Sequence, residues 1–145
     1  MEEPKGEVEV DIVAFRGISK KTAQFYNIHT KFVDGEEYER AFNYGKAWKV
    51  KNVADKRKQG CEGDFRAAGL YGQNLFDPGS LPSVTIFEGE EDAAAGYEML
   101  RGRSACVSLK SGAGSAFRDL SRPDIYDYLN SFERIYICFD NDEPG

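Results

Sequence analysis

Two short acidic motifs hold the chemistry this sequence could perform. In "YICFDNDEPG" an apolar run ends at Phe139 and delivers Asp140 and Asp142, two carboxylates one residue apart. A second apolar run, "SVTIF", leads into Glu88-Gly89-Glu90, with Asp92 close behind. Carboxylates held together repel one another unless a cation lies between them. An all-oxygen set suits a hard divalent ion, Mg²⁺ or Mn²⁺. Gly89 lets the backbone turn directly after the first acid. Each motif also has a plainer reading. Acids in a first helical turn complement the helix dipole, and "DNDEPG" has the composition of a surface turn. Their joint placement favours a metal site, because both close a strand-like run and a helix–strand–helix span separates them.

A second chemistry lies upstream. From Lys46 to Lys58 the chain carries Lys46, Lys49, Lys51, Lys56, Arg57 and Lys58 against a single acid, Asp55, although its net charge is −6. Lys49 and Lys51 are two apart in "WKVKN", which on a strand puts them on one face. Paired cations aimed one way suit a triphosphate or a nucleic-acid backbone. Trp48 then points to the opposite face and is expected in the core. Lys56, Arg57 and Lys58 sit in a polar stretch that reads as a solvated loop or as a continuation of the same anion-binding surface. In "SLKSGAGSAF", Gly112 and Gly114 lie between a strand and a helix, where backbone N–H groups can cradle phosphate. The stretch matches neither GxGxxG nor the Walker pattern, and a tight loop of small residues explains it equally well.

Stepping outward, the elements that must position these groups fall into two lobes. Residues 1–10 read as a mobile lead-in. Residues 11–79 read as a small α+β lobe. In it Ser19 caps a short helix running to about Tyr26, and "EEYERAFNYGKAWKV" forms a β-hairpin about Asn43-Tyr44-Gly45-Lys46. Asn52 to Gly63 is expected to be a loop, and "FRAAGLYGQNLFDPGSLPS" a connector. Residues 80–145 alternate strand, helix, strand, helix, strand: "SVTIF", "EEDAAAGYEMLRG", "ACVSL", two helices with Pro123 near the start of the second, and "RIYICF". That alternation predicts an α/β fold with a parallel sheet. Ligands of such sheets gather outside the carboxyl ends of the strands, where both acidic motifs lie.

With 145 residues and 41% hydrophobic content the chain suits an ordinary globular protein. No apolar run is long enough to span a bilayer, and "MEEPKGEVEV" has no signal-peptide core, so a cytoplasmic location without membrane contact is expected. The cysteines Cys61, Cys106 and Cys138 form no CxxC pair, and no zinc site is expected. Cys106 and Cys138 lie in apolar runs and read as core thiols. His29 is expected to be structural or exposed.

The residues of the second lobe resemble a Toprim domain. "TIFEGEEDAAAGYEML", "VSLKSGAGSA" and "RIYICFDNDEPG" give the order EGExD followed by DxDxxG. Upstream, "RGISKKTAQFYNI", "YGKAWKVKN" and "FRAAGLYGQNLF" are similar to the first lobe of the primase domain in phage replicative primase–helicases, a group related to DnaG-type primases and TWINKLE-type helicases. The resemblance implies a nucleotidyltransferase that joins ribonucleoside triphosphates into short RNA primers on single-stranded DNA, with Mg²⁺ or Mn²⁺. It places the catalytic and metal-binding roles on Glu88, Asp140 and Asp142, and nucleotide or template binding on Lys49 and Lys51. The longer loop "VADKRKQGCEG" leaves open which of Lys56, Arg57 and Lys58 takes the next role. The family carries a zinc module upstream and, after DxDxxG, further Toprim elements and often a helicase. The chain is therefore expected to be a fragment, incomplete at its C-terminus, whose missing portion is a partner in cis or in trans. Alone it is expected to be inactive or weakly active. The alternatives are a Toprim nuclease or topoisomerase module, and a non-catalytic DNA-binding or interaction module of a replicative helicase.

Overall fold

The computed structural model of the chain describes residues 6–140. These fall into two compact units, Met1–Ala68 and Gly69–Gly145.

The first unit is a five-stranded antiparallel meander with one helix. Its elements are β1 (Val8–Asp11), α1 (Lys20–Tyr26), β2 (His29–Val33), β3 (Glu36–Asn43), β4 (Ala47–Asn52) and β5 (Gln59–Gly63), with strands ordered β1-β2-β3-β4-β5. Ser19 caps α1 as expected: its Oγ accepts the Thr22 N–H at 3.2 Å, satisfying a donor the helix leaves orphaned. Asn27 ends the helix in the left-handed conformation. The hairpin β3–β4 forms about Tyr44 to Lys46, where Asn43 Oδ1 accepts the Gly45 N–H at 2.7 Å. A second hairpin, β2–β3, turns on Asp34-Gly35, both with positive φ (51° and 83°), the geometry that matches strand twist. Phe15, Ile18, Ala23, Tyr26, Ile28 and Phe42 are buried.

Two parts of this unit differ from expectation. Val8–Asp11 is a strand rather than part of a mobile lead-in, because its register on β2, Val8↔Val33 to Asp11↔Thr30, gives its backbone partners. Gln59–Gly63 is a strand rather than loop. Its glycines have poor β propensity, but β4 supplies a full ladder from Lys51↔Gln59 to Ala47↔Gly63.

The second unit matches the expected alternation. It contains β6 (Ser83–Phe87), α2 (Glu90–Met99), β7 (Ala105–Ser108), α3 (Ala116–Leu120), α4 (Pro123–Asn130) and β8 (Arg134–Cys138). The sheet order is β7-β6-β8, parallel on both sides of β6. Pro123 opens α4, where its missing N–H costs nothing. β6 is buried from Val84 to Phe87 and β7 along its whole length. The expected connector to Gly79 belongs mostly to this unit. Leu70, Tyr71 and Phe76 are buried, Tyr71 exchanges two 3.0 Å backbone bonds with Ser108, and the Tyr128 hydroxyl donates to the Phe76 carbonyl at 2.7 Å. Apolar anchors at this spacing pull a glycine-rich stretch into the core, so the units part at Ala68, upstream of Gly79. No helix among the described residues is long and apolar enough to cross a membrane.

The thiols separate by burial. Cys106 is buried, while Cys61 and Cys138 are exposed, against the expectation of a core Cys138. Burial pushes the Cys106 thiol up to about 12, so at pH 8 it stays protonated and unreactive. Titration of the native chain with an aromatic disulfide at pH 8 should modify Cys61 and Cys138 and reach Cys106 only after unfolding. Prompt reaction of all three in the native chain would contradict this packing.

Candidate active site

Parallel pairing brings the two acidic motifs together. β6 and β8 are neighbours in the register Ser83↔Arg134 to Phe87↔Cys138, so both strands end at one edge. Glu88 follows β6 by one residue and Asp140 follows β8 by two. The Asp140 backbone N–H donates to Glu88 Oε1 at 2.7 Å. Glu88 is half-buried and Asp140 exposed. Asp142 lies outside the described residues. Among the described residues no group of three His, Cys, Asp or Glu could hold a metal. The described part of the edge therefore supplies two of the three expected carboxylates, and their oxygen-only chemistry fits a hard divalent cation.

The turn that aims Glu88 depends on close packing behind it. Gly89 precedes α2 in extended geometry, and α2 opens with Glu90, Glu91 and Asp92. Glu90 is 1% exposed, so the second acid of the Glu-Gly-Glu motif is a buried group and not a solvated dipole complement. Burial, and then the Glu90 carboxylate, push the Tyr71 phenol well above its ordinary range. Tyr71 and Glu90 thus share one buried neighbourhood beside this edge. No sequence signal separated Glu90 from the more accessible acids around it, half-buried Glu88 and Glu91 and exposed Asp92. Further along α2, Gly96 faces the Phe87 ring, which occupies the space a methyl group would need.

The glycine loop after β7 is held by Asp119 and Ser115. Asp119 Oδ2 accepts the Lys110 N–H at 3.2 Å and the Ser115 hydroxyl at 2.8 Å. The Ser111 N–H donates to Ser115 Oγ at 3.1 Å. Two of the loop's amides are therefore spent internally. The Leu109 N–H donates to the Phe87 carbonyl at 3.0 Å, tying this loop to the strand that carries Glu88. Lys110 is buried, and burial followed by the Arg122 charge lowers its pKa.

The basic candidates belong to the first unit. Lys49 and Lys51 share one sheet face, opposite Phe42 and Arg40 respectively. Lys49 is 6% exposed; its Nζ lies 6.0 Å from the Phe65 ring centroid, and Lys51 Nζ lies 5.6 Å from that of Phe42. Lys56, Arg57 and Lys58 are exposed. Arg57 bonds Asp55 through Nε at 3.1 Å, which holds the Asp55 carboxyl below its usual range. Trp48 is on the opposite face, as its spacing requires, but it is half-exposed rather than core. Its ring meets His29 edge-on at 5.1 Å, and the His29 Nε2 is 2.7 Å from Asn27 Oδ1.

No family model matches the chain. Over 133 residues it is 30% identical to a DNA helicase/primase of Enterobacteria phage T3, a match covering 90% of this chain and 23% of the relative. Among solved structures it is similar to the primase fragment of the bacteriophage T7 primase-helicase protein, with 28% identity and a TM-score of 0.80 over 92% of this chain. In sequence and in fold the chain is similar to the primase part of phage primase–helicases. It spans about a quarter of the length of the T3 relative and 56% of the T7 primase fragment. A further match, at 27% identity and a TM-score of 0.75, is a structure of T7 lagging-strand DNA polymerase interacting with primase domains of two gp4 subunits bound to an RNA/DNA hybrid and dTTP. It covers 92% of this chain and 69% of that one.

The Gly96–Phe87 contact yields a direct test of the edge. Gly96→Ala gains about 1 kcal/mol of helix propensity but drives a methyl into the Phe87 ring, and overpacking of this kind costs about 1–3 kcal/mol. Urea unfolding should therefore show a net loss of stability. Adding Phe87→Leu should recover part of it, as coupled neighbours do. Equal stability of Gly96→Ala and the parent would contradict the contact.

Proposed function

We propose that this chain forms the nucleotide-joining core of a DNA primase that synthesises short RNA primers on single-stranded DNA. The observation that supports it most is the meeting of Glu88 and Asp140 at adjacent carboxyl ends of parallel strands, in a chain related to phage primases. In the reaction a ribose 3′-hydroxyl attacks the α-phosphate of a ribonucleoside triphosphate. A new phosphodiester forms, the bond to the β-phosphate breaks, pyrophosphate leaves, and the hydroxyl proton passes to a base or to solvent.

Glu88, Asp140 and Asp142 are the residues that would hold Mg²⁺ or Mn²⁺. When bound, such an ion lowers the pKa of a ligated hydroxyl and offsets charge on the phosphate and leaving group. Glu88 is oriented by the Asp140 amide, a bond that uses one carboxylate oxygen. A carboxylate so held is suited to bind a cation or to receive the hydroxyl proton. Buried Lys49 and half-buried Lys51 lie on one sheet face, where their charges suit the triphosphate or the template backbone. Exposed Lys56 and Lys58 extend the positive surface, and Arg57 bonds Asp55. Single-stranded DNA and ribonucleoside triphosphates are then the partners, together with the rest of a primase–helicase. A phage protein of this kind would work in the cytoplasm of its host.

The test uses a T7 primase fragment in which this chain replaces the matched segment. The parent chimera should incorporate labelled ribonucleotides on single-stranded DNA with Mg²⁺. Glu88→Gln should reduce incorporation by at least about 100-fold and leave DNA binding intact. Primer synthesis surviving in Glu88→Gln would refute the assignment. Cation-dependent nicking without primers would move the chain to the Toprim nucleases, and DNA binding with neither activity would make it an interaction module.

A further inference from the structure

The meander of the first unit has one packed face and one that is only partly covered. Alternation along the strands puts Thr30, Arg40, Phe42 and Lys49 on one face, in the registers Thr30↔Arg40 and Phe42↔Lys49, and all four are buried. The other face is shallower. Its central row, His29↔Ala41↔Val50, is half-buried. Trp48↔Glu62 flanks that row on one side and Val10↔Lys31↔Glu39 on the other. Ala41 and Val50 are short, so the three rows enclose a cleft of about 240 Å³. Val8 and Val10, on the same face, are 45% and 53% exposed.

The cleft has an aromatic wall and an unmatched charge. Half-buried Trp48 meets His29 edge-on at 5.1 Å. Lys31 Nζ pairs with Glu39 Oε1 at 2.8 Å, so those two charges offset each other. Glu62 is exposed and, among the described residues, makes no ion pair. It stands directly across the strands from Trp48, where opposed Cβ atoms are about 5 Å apart. The lining is thus apolar at its floor, aromatic on one wall and negative at the rim.

We propose that this cleft receives an arginine side chain from a partner polypeptide. The guanidinium lies against the Trp48 ring and its N–H fork donates to the Glu62 carboxylate, two contacts that arginine makes together. Its methylene stem covers Val50 and Ala41. Complementarity of charge selects this occupant. A nucleotide would bring phosphate beside Glu39 and Glu62, whereas the lysines suited to phosphate, Lys49 and Lys51, are on the opposite face. The cleft is also smaller than the roughly 300–1,000 Å³ that small-molecule sites offer, and it suits one long side chain. A partner held here would not compete with phosphate at Lys49 and Lys51. Its binding requires no catalysis and does not rest on the primase reading.

Trp48 is the single tryptophan of the chain, so its indole N–H resonance reports on the cleft alone. The ¹⁵N-labelled chain is titrated with the peptide acetyl-Gly-Arg-Gly-amide and with the same peptide carrying citrulline, which keeps the shape of arginine and removes the charge. The arginine peptide should shift the indole resonance saturably, and the citrulline peptide should bind about tenfold more weakly. Glu62→Gln should weaken the arginine peptide about fivefold and, as a change at an exposed position, leave the rest of the spectrum in place. Glu62→Asp, which keeps the charge, should retain most of the affinity. Equal affinity for the two peptides, or an indole resonance that neither peptide moves, would overturn the proposal. A stronger response to GMP would overturn it in favour of a nucleotide site. An indole shift that grows with protein concentration alone would overturn it in favour of a contact between copies of the chain.

Discussion

Parallel pairing of β6 with β8 is the constraint on which the candidate site depends. Glu88 and Asp140 are separated by a helix, a strand, two further helices and β8 itself, yet the register Phe87↔Cys138 makes them neighbours. An antiparallel pairing would send the two acids to opposite ends of the sheet. The intervening elements act as a spacer that returns the chain to the same edge in the same direction, which parallel strands require. Gly96 lets α2 sit against Phe87, and the Leu109 amide ties the end of β7 to the Phe87 carbonyl. The last residue of β6 is thereby fixed on two sides, and Glu88 inherits that rigidity. The Asp140 amide then sets the direction of the Glu88 carboxylate.

Charge is divided between the two units in a way that suits phosphoryl chemistry. The second unit gathers acids at the carboxyl edge of its sheet, and the first gathers lysines on one face of its meander. An overall net charge of −6 conceals this division. The lysines are partly buried beside aromatic rings, which limits their motion and shields their stems. Asp119 uses its carboxylate to staple the loop after β7, bonding the Lys110 amide and the Ser115 hydroxyl.

Much of the second unit was legible because its signals are local and mutually consistent. The β-branched run of β6, the alanine-rich body of α2 and Pro123 at the start of α4 each point to the element that forms. Strand alternation put both acidic motifs at the carboxyl ends of parallel strands, whereas the adjacency of β6 and β8 that brings Glu88 to Asp140 is a matter of sheet order. In the first unit Ser19 and the turn at Tyr44 to Lys46 were readable, while β2 was overlooked even though Asp34-Gly35, a strong hairpin dipeptide, marks it. β5 left no such mark, since its glycines gain strand geometry only through the β4 ladder. Burial was the least legible property. Cys138 and Trp48 look like core residues by type, but exposure is set by what packs against a strand. Glu90 shows the converse, an acid among acids that tertiary packing alone buries.

Mn²⁺ binding tests most directly whether Glu88 and Asp140 form one cation site. Titration of the chain with Mn²⁺, followed by the loss of the free-ion electron paramagnetic resonance signal, should reveal a site competed by Mg²⁺. Glu88→Gln and Asp140→Asn should each abolish it, and a distant change such as Glu62→Gln should not. Mn²⁺ binding that survives both substitutions would place the cation elsewhere and contradict the site.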